Sequence, residues 1–190
     1  MEKTLEQIKT DCIKVVLYGP ESTGKSTLSK ALAEHYKTAY VPEYARSYLQ
    51  VKWDQHRTIC AKEDLGPIAL GQMQLENERL RKVNKLLICD TDLLQTKVYS
   101  EVYYNGYCDS KIAYHATKNS YDLYFLCAAD IPWVADDLRD KPNEREQMFS
   151  AFKNELEKQN LTYVLLEGPL KNRMDIATKH IDALLDQNKK

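Results

Sequence analysis

Five short apolar runs punctuate the chain, at 13–18, 38–41, 86–90, 122–127 and 161–166, and between them the apolar residues recur at helical spacing. The runs at 86–90 and 122–127 are apolar without alternation, the pattern of parallel strands buried on both faces. Leu28, Leu32 and Tyr36 mark a first helix reaching about His35. Pro42 suits the first position of a second helix, where its missing N–H costs nothing, and Glu43 then falls in the first turn ahead of Tyr44, Arg46, Tyr48 and Leu49. Trp53 to Leu65 is polar and reads as an irregular surface segment. A long polar helix is predicted over 68–83, with Ala69, Met73, Glu76 and Leu80 along one side. Thr96, Lys97, Val98, Tyr99, Val102 and Tyr103 mark a helix ended by Asn105-Gly106. Asn143 with Glu146 resembles a capping arrangement for a helix through Leu156, and 172–185 forms the closing helix.

Strands alternating with helices demand right-handed crossovers, so the expected fold is α/β, a five-stranded parallel sheet with helices on both faces. At 190 residues the chain reads as one domain, 1–190, large enough for a real core. It shows no internal repeat, low-complexity segment or linker. Functional groups in such a sheet lie at the carboxyl ends of the strands. That rule selects the loop after the first run, Glu43, Asp90 with Asp92, the segment after Cys127, and Gly168.

The first of these loops carries the chemistry. Gly19-Pro20-Glu21-Ser22-Thr23-Gly24-Lys25-Ser26-Thr27 matches G-x-x-x-x-G-K-[ST] at every constrained position, between a strand and a helix. Gly19 and Gly24 can adopt backbone angles closed to side chains, so that consecutive N–H groups turn inward around a phosphate. The helix that follows adds its free N–H groups and the positive end of its dipole. Lys25 supplies a charge for the β- and γ-phosphates, and Ser26 a hydroxyl for Mg²⁺. The residues from Gly19 to Thr27 therefore form the expected ATP site, and the pattern predicts a P-loop nucleoside triphosphate-binding fold.

Composition narrows the class. A formal net charge of −1 offers no basic field for nucleic acid or an anionic membrane. The five cysteines are odd in number and lack C-x-x-C spacing, which points to buried thiols in a reducing compartment rather than disulfides or zinc. No apolar run approaches membrane length and the first residues lack a signal-peptide core, so a cytoplasmic protein is expected.

Three reaction classes follow a triphosphate site: switch, motor and small-molecule kinase. A GTPase switch carries N-K-x-D and D-x-x-G. Here Asn84-Lys85 is followed by two leucines, and Asp90 by Thr91-Asp92-Leu93. A motor or AAA-type machine usually needs a longer chain. A kinase needs positive charge on the migrating group, Mg²⁺, and an acid to orient or deprotonate the acceptor hydroxyl. Asp90, at the tip of a strand placed beside the P-loop strand, can reach the Mg²⁺ shell. Asp92 can face the acceptor. Glu43, across the cleft, can take the proton, or can serve the helix dipole paired with Arg46. Arg139 and Arg145 fall in a charged segment expected to form a lid over about 129–147, as clamps or as solvated partners of Asp136, Asp137 and Asp140. Trp133 offers a flat face for stacking on a substrate ring, or for anchoring the lid. Tyr44 with Tyr48, and Tyr99 with Tyr103, stand at i,i+4 spacing and read as core rather than pocket.

Taken together, GPESTGKST (19–27), VPEYARSYL (41–49), CDTDLLQTK (89–97), IPWVADDLR (131–139) and the last strand with its helix resemble the ribosylnicotinamide kinase domain of the bifunctional NadR family. The resemblance runs from about Ile13 over essentially the whole chain. It implies a nucleoside-monophosphate-kinase-like core that uses ATP and Mg²⁺ to phosphorylate the 5′-hydroxyl of nicotinamide riboside, giving nicotinamide mononucleotide. It also implies that Lys25 and Ser26 serve ATP–Mg²⁺, that Glu43, Arg46, Asp90 and Asp92 line the acceptor side, and that Trp133, Asp136, Asp137, Arg139 and Arg145 belong to the lid. NadR proteins carry a nucleotidyltransferase domain before the kinase. With about a dozen residues ahead of the first strand, adenylyl transfer and transcriptional control are not expected here. Pro42 stands where some members carry an aromatic residue that could stack on the base. The alternatives kept are a kinase for another nucleoside or vitamin precursor, and a regulatory ATP-binding module with slow ATPase activity.

Overall fold

In the computed structural model, which describes residues 4–83, 85–138 and 143–188, each of the five apolar runs forms a strand. They are β1 (Ile13–Tyr18), β2 (Tyr40–Val41), β3 (Leu86–Asp90), β4 (Leu123–Cys127) and β5 (Tyr163–Leu166). All pair in parallel, in the order β2-β3-β1-β4-β5. The P-loop strand β1 is therefore central, with Leu17 opposite Asp90 on one side and Phe125 on the other. Chain connections depart from β1 toward β2 and return across it to β4, which opens the crevice at the carboxyl ends where ligands bind in open α/β sheets.

Alternation along β1 separates two cores. Val15 and Leu17 pack with Leu28, Leu32, Ala177 and Ile181 under α1 (Lys25–Tyr36) and α7 (Leu170–Gln187). Val16 and Tyr18 face the opposite way, toward α3 (Leu65–Leu80), α4 (Leu93–Tyr103), α5 (Ser110–Lys118) and α6 (Arg145–Lys158). The predicted stripe of Ala69, Met73, Glu76 and Leu80 is buried along α3. All five cysteines are free thiols. Among the described residues no helix is long and apolar enough to cross a membrane.

Four local expectations are corrected. Pro42 precedes the second helix instead of opening it: α2 runs Tyr44–His56 and Glu43 is its N-cap. That helix extends through Trp53 into the segment expected to be irregular, which continues with a 3₁₀ turn at Lys62–Asp64. None of the α2 side chains is buried, so no apolar stripe announced its length. α5 was not anticipated, because only Ile112 and Ala116 are buried in it; it starts on Asp109, whose carboxylate accepts from the Lys111 and Ile112 N–H groups at 2.9 and 3.2 Å. Finally, α6 begins after Glu144 with no side-chain cap, so the Asn143/Glu146 arrangement does not form.

Candidate functional site

The loop between β1 and α1 adopts the cradle that its glycines allow. Gly19 has φ +133°, and a Cβ there would stand 2.9 Å from the Cys127 carbonyl oxygen of the neighbouring strand. Gly24 has φ +79° as the N-cap of α1. Thr23 donates to the Pro20 carbonyl at 2.8 Å. Lys25 is buried, with its ammonium donating to the Gly19 and Pro20 carbonyls, each at 2.8 Å. The lysine is thus folded onto its own loop, where the same ammonium can turn to phosphate oxygens.

Beside it, the Ser26 hydroxyl stands near enough to the Asp90 carboxylate at the tip of β3 to favour its charged form. Asp90 is 2% exposed, and its Oδ1 is buried without a hydrogen-bond partner among the described residues. Burial pushes its pKa up to about 6, helped by the nearby Glu43 carboxylate and opposed by Lys25 and Ser26. A hydroxyl and a carboxylate with a spare oxygen are the hard donors that Mg²⁺ takes when phosphates and waters complete its shell, so the residues fit that ion.

Asp92 has a different position from the one expected. It is 1% exposed and caps α4, with Oδ1 accepting from the Gln95 N–H at 3.0 Å and Oδ2 accepting from the Tyr124 hydroxyl at 2.7 Å. Both oxygens are committed inside the protein, so Asp92 does not face an acceptor. The separation of the two acids is made at Thr91, whose φ of +82° is an outlier for a β-branched residue and turns the chain between them.

A cavity of about 170 Å³ opens beside Thr91, the neighbour of Asp90, bounded by α2, α3 and α4. Glu43 and Arg46 from α2, Gln72 from α3 and Gln95 with Thr96 from α4 supply its polar groups. Leu49, Ile68 and three tyrosines supply its apolar walls. Tyr99 and Tyr103 are among them, packed on the core and lining the cavity at once, which corrects the reading of this pair as core alone. Glu21 of the P-loop also lines the cavity, so the P-loop and the cavity share a wall. Arg46 is ion-paired with Asp136, and Gln50 donates to Asp137 at 3.4 Å, which ties α2 to the segment between β4 and α6.

That segment is also tied to the P-loop. The Val134 N–H donates to the Ser22 hydroxyl at 3.0 Å. Arg145 donates to the Ile131 and Ser22 carbonyls at 2.9 and 3.1 Å, with its guanidinium over the Trp133 ring at 5.7 Å. Trp133 therefore packs against Arg145 above the P-loop and does not line the cavity, which is the anchoring role of its two expected ones and not the stacking on a substrate ring. Arg139 lies outside the described residues.

Two side chains that the sequence reading passed over belong here. Arg173 of α7, 3% exposed, donates to the Thr23 carbonyl at 2.7 Å, the Gly168 carbonyl at 2.8 Å and the Ala128 carbonyl at 3.2 Å, and is ion-paired with Asp130. It binds the loops after β1, β4 and β5 together. An arginine early in an amphipathic closing helix carries no signal of that role. Gln95 is the other, a buried amide on the cavity wall.

The chain has recognisable relatives. Residues 14–173 match a family model described as an AAA domain. The trifunctional NAD biosynthesis/regulator protein NadR of Escherichia coli (strain K12) is 30% identical over 155 residues, which is 80% of this chain and 38% of that protein. A NadR protein solved in complex with NR superposes with a TM-score of 0.65 at 20% identity, over 83% of this chain and 44% of that one. The complex of NadR with NAD and AMP-PNP gives 0.68 at 19% identity, over 92% and 49%. Deoxyadenosine kinase from M. mycoides with bound dATP gives 0.56 at 14% identity, over 90% and 99%. The structural likenesses show a shared P-loop nucleoside-kinase fold. Matched from the second residue of β1 to the first turn of α7, the chain belongs to the AAA-domain family and is a NadR-like P-loop domain.

Proposed function

We propose that this protein is an ATP-dependent nucleoside kinase that phosphorylates the 5′-hydroxyl of nicotinamide riboside. The observation that carries the reading is the adjacency of two half-sites: the P-loop, through Glu21, lines a cavity whose wall also holds Thr91, the neighbour of Asp90, and Glu43, whose charge is felt at Asp90. A pure binder of triphosphate needs no second cavity there. The choice of acceptor is supported by the NadR relatives, one of them solved with NR, and by the aromatic wall of Tyr99, Tyr103 and Tyr104.

In this mechanism the P-loop amides and Lys25 hold the triphosphate, the lysine exchanging its own carbonyls for phosphate oxygens. Ser26 and Asp90 would hold Mg²⁺, which would supply positive charge against the phosphates. Glu43 accepts the proton of the acceptor hydroxyl as its oxygen bonds to the γ-phosphorus. The bond from γ-phosphorus to the bridging oxygen breaks, ADP leaves, and the proton passes from Glu43 to solvent. Arg145, held over the P-loop through Ser22, is a cation available for transition-state charge; Arg139, the other clamp candidate, lies outside the described residues.

Incubation with ATP, Mg²⁺ and a nucleoside panel decides the matter. Fast ADP release with nicotinamide riboside, and a product heavier by one phosphoryl group, is expected. Fast release with another nucleoside alone moves the acceptor, as the likeness to deoxyadenosine kinase allows. Nucleotide binding with no acceptor phosphorylated ends the kinase reading in favour of a regulatory ATP-binding module.

A further inference from the structure

Two glutamine amides face the acceptor cavity, and their circumstances differ. Gln72 is occupied: its Oε1 accepts from the Tyr44 N–H at 2.8 Å and its amide nitrogen donates to the Pro42 carbonyl at 3.4 Å. It fastens α3 to the start of α2. Gln95, in the first turn of α4, is 2% exposed, and its Oε1 is buried with no partner among the described residues. Its backbone N–H is held by Asp92, so the residue is fixed at its root while the head of the side chain borders empty space. A buried amide oxygen left without a donor is unfavourable, and native proteins fill such positions with water or ligand.

We infer that Gln95 is the specificity-determining residue of the acceptor site, and that it takes a hydrogen bond from a donor group on the nucleoside. The inference rests on the kinase reading and names the group that would choose among acceptors. Tyr99 and Tyr103 follow Gln95 at successive i,i+4 positions on α4, so one helix presents an amide and then aromatic faces to the cavity. Apolar walls reject an analogue lacking one polar group only weakly, whereas a site with a buried polar group of its own discriminates against it strongly, because that group is then left unpaired. The donor group has two sources on a nicotinamide nucleoside, a ribose hydroxyl or the ring carboxamide N–H.

The test compares kcat/KM of wild type and Gln95→Leu on three acceptors: nicotinamide riboside, its ribose-deoxy analogues, and the pyridinium riboside lacking the carboxamide. Wild type is expected to lose at least about 10-fold on one analogue and Gln95→Leu to show no such penalty, the analogue identifying the source of the donor. Gln95→Glu, which keeps the acceptor oxygens and loses the amide donor, should retain the wild-type order of preference. ATP affinity measured without acceptor should be the same in all three proteins, which separates a contact with the acceptor from general loosening of α4. If Gln95→Leu is poorly folded, Gln95→Met takes its place. A wild-type kinase whose penalties persist unchanged in the variant overturns the assignment alone; a wild type that phosphorylates no nucleoside overturns the kinase reading and the assignment with it.

Discussion

The Tyr124 hydroxyl donates to Asp92 Oδ2 at 2.7 Å, and that bond takes Asp92 out of the cleft. Two residues earlier, Asp90 keeps a buried oxygen open beside Ser26. Two acids of one short motif are thus divided between the site and the frame that supports it. Asp92→Asn keeps a side-chain oxygen for the α4 N-terminus and should change kcat by no more than about threefold, since a capping Asn serves nearly as well as Asp. Asp90→Asn should lower kcat by about 10²-fold or more, the scale of losing an electrostatic group at the reacting phosphate. Steady-state kinetics on the two variants checks this, and equal losses would return Asp92 to the active site.

The same burial makes Asp92 a source of pH-dependent stability. Desolvation raises its pKa to about 7, against the Gln95 N–H and Tyr124 hydroxyl bonds that favour the charged form. An unfolded aspartate titrates near 3.9. Between those values the folded state holds a proton that the unfolded state has released, so this contribution is fully present below about pH 4 and is lost as pH rises through about 7. Relative to Asp92→Asn, the wild type should therefore lose stability on the order of 2 kcal/mol between pH 5 and pH 8. Urea denaturation of both proteins across that range measures it; parallel profiles would show that Asp92 does not titrate there.

Glu43 lines the cavity together with Glu21 of the P-loop, near enough to Asp90 to help raise its pKa. As general base it should be worth roughly 10²–10⁴-fold in kcat, so Glu43→Gln should lose that much while the KM for ATP changes little. A kcat within a few-fold of wild type would remove Glu43 from the chemistry and leave it as the N-cap of α2.

Gly71 is a test of how α2 is seated. A glycine inside a helix normally costs roughly 0.5–1 kcal/mol relative to alanine, so Gly71→Ala would stabilise an isolated α3. Here the added Cβ would lie 2.1 Å from Cε1 of Tyr44, whose ring crosses α3 at this point. Overpacking of that kind costs about 1–3 kcal/mol and should win. The expected outcome is a Tm lower by a few degrees. In a Tyr44→Ala background the sign should reverse, and a destabilisation that persists there would place its origin elsewhere.

The sequence by itself determined the sheet, the donor loop and the polarity of the site. Strands buried on both faces are continuous apolar runs, and a phosphate loop is local in the chain, so both are legible without knowing what packs against what. Asp90 at the carboxyl end of its strand is local too, and the pairing of β3 with β1 is what sets it beside the P-loop. Tertiary structure decided everything that depends on which way a side chain faces. Asp90 and Asp92 are chemically identical and two apart, and only the turn at Thr91 and the hydroxyl of Tyr124 on another strand distinguish their roles. Trp133 lies over Arg145 instead of in the cavity, Arg173 reaches back about 150 residues to the P-loop, and Gln95 borders the cavity while Gln72 is occupied. None of these has a periodicity to read, because each depends on which groups the fold brings within hydrogen-bonding distance and which it leaves open.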